Sequence, residues 1–402
     1  MNSTPKANRK HIVFYGKRNA GKSSIMNKII GQDISLVSDI KGTTTDPVSK
    51  AMELIPFGPV VFTDTGGLDD QGQLGKMRVS KTLNTLEEAD CAIYVMDVED
   101  IDERVYLEFT KEFEKRNIPY ITVINKIDLF SKGELERLKK SISRKGWRNL
   151  VFMSTKGEDG ILFLKDKLIK ILDIDDEEST LIGDIIPYGG KVIMVIPIDS
   201  DAPKGRLILP QVQLLRDCLD HGIKSYVVRD TELESALKDI TDVDLVVTDS
   251  QIFKEVDKLV PKNIKLTSFS IIMARQKGDL GVFLEGVNSI KDLEFIDNPK
   301  VLIMESCTHN TSHEDIGTVK IPSLLKRHLN KEVDFQFSMG QNIPKDLDIF
   351  DLIVHCGSCM LNKKTMINRI RVCKEKKVPI TNYGILIAYI TGILDRSVEI
   401  FI

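Results

Sequence analysis

Gly16-Lys-Arg-Asn-Ala-Gly21-Lys22-Ser23-Ser24 decides the fold of the first part of the chain, because of what stands on either side of it. The run His11-Ile-Val-Phe-Tyr15 is short, apolar and rich in strand formers, and Ile25 to Ile30 reads as helix. A glycine loop between strand and helix lets successive backbone N–H groups and the helix N-terminus converge on phosphate oxygens. Gly16 and Gly21 permit the curl, Lys22 is expected to reach the β and γ phosphates, and Ser23 to ligate magnesium. Ala20 and Ser24 complete the stretch that touches the nucleotide. A chance glycine-rich turn would lack this strand-loop-helix context.

Further elements follow in the order a guanine-nucleotide site requires. Val60-Val-Phe-Thr-Asp64 is a strand ending in an acid, and Asp64-Thr65-Gly66-Gly67 continues it with a magnesium-linked carboxylate and a glycine N–H, Gly67, able to sense the γ phosphate. Pro119-Tyr-Ile-Thr-Val-Ile124 delivers Asn125-Lys126-Ile127-Asp128, which resembles the N-K-x-D element of GTPases. A carboxylate at Asp128 can accept from N1 and the exocyclic amine of guanine; adenine lacks that pair of donors, so the base is read as guanine. Ser154-Thr155-Lys156 resembles the last guanine-contacting loop. Asn19 and Gly42-Thr43-Thr44-Thr45-Asp46 are similar to the branch of GTPases that modifies tRNA and assembles ribosomes. By that resemblance Thr44 is the magnesium-ligating threonine, with Thr43 second, and Asn19 either holds a potassium ion or simply suits a turn. Leu68 stands where Ras-like proteins place a water-orienting glutamine, so intrinsic hydrolysis should be slow.

The 402 residues suit about three domains. With 42% hydrophobic and 29% charged residues the chain is an ordinary globular one, and a net charge of -3 provides no global basic field, so nucleic acid is not an expected partner. The polar start Met1 to Lys10 and the shortness of the apolar run Gly384 to Leu394 point to a cytoplasmic protein without a membrane span. Six cysteines are too few for a disulfide scaffold, and Cys91, Cys218 and Cys373 read as small core residues.

The acidic run Asp173 to Ser179 reads as a linker. Beyond it, strand-like runs alternate with helical ones, the pattern of parallel sheets covered by helices on both faces. Lys300-Val-Leu-Ile-Met-Glu305 echoes Lys191-Val-Ile-Met-Val-Ile196, and Asp351-Leu-Ile-Val354 echoes Asp244-Leu-Val-Val247, at offsets of 109 and 107 residues. We therefore expect a P-loop GTPase domain (1–172), a linker (173–184) and two doubly wound parallel-sheet α/β domains (185–270 and 271–402) related by internal duplication.

Cys307 with His309 follows one of these strands, and His355-Cys356-Gly357-Ser358-Cys359 follows another. Ligands gather at the carboxyl ends of strands in such sheets, so the two motifs are expected at one edge. Three thiolates and an imidazole suit tetrahedral zinc; three thiolates and a weaker fourth donor suit a 4Fe-4S cluster. Glu314 is a solvated acid or a labile oxygen ligand, and His313 and His328 read as surface or packing residues.

With Cys307-Thr308-His309 and the later His355-Cys356-x-x-Cys359, the whole chain resembles the GTPase maturation factors of FeFe-hydrogenases, the HydF family. The resemblance implies that Cys307, Cys356 and Cys359 hold a 4Fe-4S cluster, with Glu314, His309 or His355 as a possible fourth ligand. It further implies a homodimer formed by the middle domain. Its cofactors would be GTP, Mg2+, the cluster and K+. Its partners would be radical-SAM maturases, which build a diiron precursor, and the apo FeFe-hydrogenase that receives it. The alternative is an RNA-associated GTPase with a structural zinc module.

Overall fold

The computed structural model describes residues 6–32, 38–40, 48–65, 85–175, 180–198, 205, 207–306, 316–340, 343–344 and 346–402. They form two compact units, 1–178 and 179–402.

The first unit is a seven-stranded sheet of β1 (Lys10–Tyr15), β2 (Ser38–Ile40), β3 (Val48–Leu54), β4 (Gly58–Asp64), β5 (Cys91–Asp97), β6 (Tyr120–Asn125) and β7 (Leu150–Phe152), in the order β2-β3-β4-β1-β5-β6-β7. β3 pairs antiparallel with β2 and β4, and the other pairings are parallel. The central strands are mostly apolar and buried because both faces are covered. Ile12, Phe14, Ile93 and Val95 enter the core beneath the helices Lys22–Gln32 and Asp159–Asp175; Val13, Tyr15, Tyr94 and Met96 enter the opposite core with Tyr106, Phe113 and Ile142. The direction of winding reverses at β1, between β4 and β5. A crevice at the carboxyl ends of strands opens at such a point.

The second unit holds two four-stranded parallel sheets. One consists of β8 (Lys191–Val195), β9 (Lys224–Val228), β10 (Leu245–Thr248) and β11 (Lys265–Ser268); the other of β12 (Lys300–Glu305), β13 (Asp334–Met339), β14 (Leu352–His355) and β15 (Ile380–Asn382). Their orders, β11-β10-β8-β9 and β13-β12-β14-β15, are the same winding read from opposite ends. The register agrees as well: Val192 faces Leu245 as Val301 faces Leu352. Each first strand is anchored alike, Asp244 accepting from Lys191 N at 2.7 Å and Asp351 from Lys300 N at 2.8 Å. The duplication expected from the apolar runs therefore extends to strand order and polar anchoring.

The last strand of each repeat continues directly into a helix, Thr267-Ser-Phe-Ser-Ile271 in one and Thr381-Asn-Tyr-Gly-Ile385 in the other, with Ser268 and Asn382 as N-caps. The next helix then crosses over. Helix Leu280–Asn288, from the first repeat, lies along β15 of the second, where Thr381 Oγ1 donates to Phe283 O at 2.9 Å. Helix Leu394–Val398, from the second, lies along β11 of the first, where Thr267 Oγ1 donates to Ser397 O at 2.8 Å. A single apolar core consequently runs through both sheets, from Ile193 and Val246 to Ile303 and Ile353. Part of the stretch expected as a linker is also packed: Leu181 and Ile182 are buried, and the Asp217 carboxylate accepts from the backbone N–H groups of Leu181, Ile182 and Gly183.

No helix among the described residues is long and apolar enough to cross a membrane. The crossover depends on one close approach. A Cβ at Gly286 would overlap the Ile380 carbonyl oxygen, so no larger residue fits without moving the helix off the strand. Gly286→Val should lower the stability of this unit by about 2 kcal/mol or more. Calorimetry should register this as a lower transition temperature, while the GTPase unit keeps its own transition.

Candidate functional site

The nucleotide crevice is built by backbone geometry first. Gly16 and Gly21 have φ of 140° and 99°, and a Cβ on either would collide, with the Val95 carbonyl and with the Asn125 amide respectively. Asn19 sits between them in the left-handed region at φ 61°, which a short polar side chain tolerates. Asn125, almost fully buried at the end of β6, donates to Ala20 O at 3.0 Å and so ties the N-K-x-D segment to the phosphate loop. Lys22 Nζ donates to Gly16 O (3.0 Å) and Lys17 O (2.9 Å), curled within the loop it is expected to serve. Ser24 follows Ser23 in the first turn of the same helix.

Ser23 Oγ donates to Asp64 Oδ2, bringing the two expected magnesium-linked residues together. Burial pushes the Asp64 carboxyl up, against the opposing pull of Ser23 and Lys22. Its other oxygen, Oδ1, is buried without a hydrogen-bond partner among the described residues. A hard divalent cation, brought in with its waters, would satisfy that oxygen, so the pair fits Mg2+. Thr65 beside it is pinned to β1, donating to Phe14 O at 2.7 Å.

On the base side, Ser154 Oγ donates to Asp128 Oδ1 and Lys156 Nζ stands 2.6 Å from Oδ2. These contacts, Lys156 foremost, hold the Asp128 carboxyl below the ordinary range and keep it an acceptor. Lys126 has φ 62° and reaches Asp97 Oδ2 at 2.6 Å, while Thr155 continues the loop from Ser154. Sequence reasoning missed one feature of the crevice: Lys17 Nζ lies 3.0 Å from both Asp100 and Asp102, in a cavity also lined by Asn19, Tyr94 and Asp97. The acid-rich run Asp97 to Asp102 was its available signal. Thr43, Thr44, Gly67 and Leu68 lie outside the described residues.

The second centre stands at the carboxyl ends of β12 and β14, which pair directly, Met304 facing His355. Cys307, His309 and Glu314 lie outside the described residues. Ser306, the residue before Cys307, has its N–H 3.3 Å and its Oγ 3.2 Å from Cys356 Sγ. Ser358 turns the chain at φ 56°, Leu361 N donates back to Ser358 O at 3.1 Å, and Asn362 then caps helix Lys363–Lys376. Cys356 is buried and Cys359 half-buried, both as thiols. Cys91, Cys218 and Cys373 are buried elsewhere in the cores; burial pushes the thiols of Cys218 and Cys373 up to about 12, as inert packing residues.

Two buried cations accompany the cysteine loop, and sequence reasoning found neither. Arg369 Nη1 donates to His355 Nε2 at 2.5 Å and Nη2 to Gly340 O at 2.9 Å. His355 Nδ1 donates to Cys356 O at 2.8 Å, so both ring nitrogens of this fully buried histidine are engaged within the protein. Lys277 Nζ donates to the carbonyls of Ser358, Cys359 and Leu361. Burial pushes the Lys277 ammonium down to about 8, opposed by the thiols of Cys359 and Cys356.

Among the described residues no three His, Cys, Asp or Glu side chains are grouped to hold a metal ion; the described part of the expected set is Cys356, Cys359 and His355. The two thiols nevertheless suit a soft, thiolate-bound centre. N–H and O–H groups meet the sulfur of Cys356, and two cations offset the negative charge that thiolates carry.

Three family models match the chain. Residues 11–126 match a 50S ribosome-binding GTPase model, 181–278 the hydrogen maturase F dimerization domain and 281–400 the hydrogen maturase F tetramerization domain. Similar curated proteins include a GTPase Der of Kosmotoga olearia, 34% identical over 40% of this chain and 38% of its own length, and a tRNA modification GTPase MnmE of Endomicrobium trichonymphae, 33% identical over 42% and 36%. The chain thus spans under two fifths of the length of these relatives. An uncharacterized protein of Methanocaldococcus jannaschii is 34% identical over 40% of this chain and 95% of its own. Among solved structures, Era of Aquifex aeolicus bound to GDP and AlF4- overlaps with 21% identity and TM-score 0.34, covering 55% of this chain and 94% of that one. The GTPase model lies within the first unit, whereas both models that match the second come from one kind of protein: the chain belongs to the hydrogen maturase F family.

Proposed function

We propose that this protein is a GTP-hydrolysing scaffold that binds a 4Fe-4S cluster and delivers a diiron precursor to apo FeFe-hydrogenase while the hydrogenase active site matures. The observation that carries the reading is the Cys356–Cys359 loop beside the end of β12, in a chain of the hydrogen maturase F family. Radical-SAM maturases would load the precursor, and residues 185–270 would join two copies while 271–402 carry the cluster.

In the first unit Asp128 reads guanine, Lys22 offsets phosphate charge, Ser23 and Thr44 ligate Mg2+ with Asp64 behind them, and Gly67 senses the γ phosphate. Asn19, in its left-handed turn beside the phosphate loop, is available to help hold K+. In the second unit Cys307, Cys356 and Cys359 provide the thiolates, and a cluster held by three thiolates supplies an iron with an open coordination position. With the ring nitrogens of His355 already engaged, Glu314 and His309 stand ahead of it as the fourth donor.

The RNA-associated alternative, with structural zinc, draws on the Der and MnmE likenesses, which cover 40% and 42% of this chain. Zinc is colourless and diamagnetic, so the two readings part on colour and spectrum.

Lys22→Ala should abolish GTP turnover. Asp128→Ala should weaken GTP binding by roughly a hundredfold or more, since it removes two hydrogen bonds to a charged acceptor. Both variants should keep the iron content of the parent, because the cysteine loop belongs to the other compact unit. Turnover should be faster in potassium than in sodium salts, and equal rates would remove the cation role of Asn19. Cys356→Ser or Cys359→Ser should lose most of the 4Fe-4S signal in paramagnetic resonance of the reduced, reconstituted protein. Hydrogenase activation should fall with it while GTP turnover persists.

A further inference from the structure

We propose that Lys277 is the positioning residue that fixes the Cys356–Cys359 loop in its cluster-receiving shape, and that through it the first repeat of the C-terminal unit controls the cysteine loop of the second. The inference rests on the cluster reading for its function; its geometry does not.

Lys277 is the last residue of helix Phe269–Lys277, which continues β11 in the sheet that carries no cysteine motif. Its side chain is 4% exposed, and its ammonium donates to Ser358 O at 3.2 Å, Cys359 O at 3.1 Å and Leu361 O at 2.9 Å. An ammonium has three donors, and three carbonyls of one loop take them all. Burying a charge carries a desolvation cost that such partners offset only in part, so a lysine of this kind is a poor way to gain stability and a good way to fix a shape. All three of these acceptors are carbonyls. The charge is therefore not neutralised by a carboxylate among them, and it is placed where thiolates and an anionic cluster need compensation.

The repeat provides an internal control. Thr267, Ser268, Ile271, Ala274 and Gly278 of the first copy correspond to Thr381, Asn382, Ile385, Ala388 and Gly392 of the second, which places Thr391 at the position of Lys277. Thr391 Oγ1 donates to Ile387 O, within its own helix. The repeat architecture does not require the lysine; it occurs in the copy whose helix end meets the cysteine loop. Residues 181–278 match the dimerization model, so the lysine that holds the loop lies at the end of the segment matched for self-association.

The test uses the full chain with Lys277→Met and Lys277→Arg. Hydrogen exchange of the apo protein should accelerate at least tenfold at amides 356–361 in Lys277→Met and less than threefold in Lys277→Arg, with β8 and β12 unchanged in both. Unchanged exchange in the loop of Lys277→Met overturns the clamp. Acceleration that spreads equally to β12, or a Met variant that does not fold beside an Arg variant that exchanges like the parent in every segment, assigns Lys277 a merely structural role and overturns it too. After reconstitution, Lys277→Met should lose iron to a chelator at least tenfold faster than the parent, with a more negative midpoint potential. If the parent itself takes up no 4Fe-4S cluster, the cluster reading fails, and the exchange measurement still decides the clamp.

Discussion

Parallel strands covered by helices on both faces leave no polar side within the sheet, and every reactive group in this protein follows from that constraint. Polar chemistry is pushed to the loops that leave the carboxyl ends of strands, so the phosphate loop follows β1, Asp64 closes β4, Asn125 closes β6 and Cys356 follows β14. Two centres of unrelated chemistry are thus laid out by one rule. The rule also explains how local each is: a handful of residues in loops and at strand ends, supported by strands whose other side chains are largely spent on packing.

What was legible in the sequence divides along the same line. Gly16, Gly21, Lys22, Asp64 and Asp128 could be read because the backbone of a short segment does most of the positioning, so spacing alone carries the geometry. The strand pattern revealed the repeat for a similar reason, since apolar runs bounded by Asp and Lys recur wherever a buried strand needs the same anchor. Arg369, Lys277 and the pairing of Lys17 with Asp100 and Asp102 were not legible. Each is an ordinary basic residue in the chain and acquires a role only from a partner brought near by tertiary structure. His355 shows the opposite case. As a histidine next to a cysteine it reads as a donor to metal, yet it is the last residue of β14, where the alternation of a doubly covered strand turns its ring inward to Arg369.

The two repeats share a framework and not a task. At the position of Cys356 the first copy has Asp249, whose carboxylate accepts from Gln251 N as the cap of a short turn, and at that of Cys307 it has Ile198. The cysteine loop of one copy therefore comes with no change in strand order, anchoring or core. It comes with a turn at Ser358 and the buried basic side chains of Lys277 and Arg369 beside it. This is the ordinary economy of duplicated sheets: the scaffold is retained, and loops at strand ends vary.

The crossing of the helices Leu280–Asn288 and Leu394–Val398 bears on how the chain is made. During synthesis the first repeat emerges with β11 uncovered, and the segment that shields it is polymerised well over a hundred residues later. An open strand edge invites pairing with other nascent chains, so the interval between translating Ser268 and Ser397 leaves β11 exposed to such pairing. A premature stop anywhere in that interval would release a first repeat with its own strands complete and its β11 edge unshielded. In such a fragment the bare edge would mark a second half that never arrived.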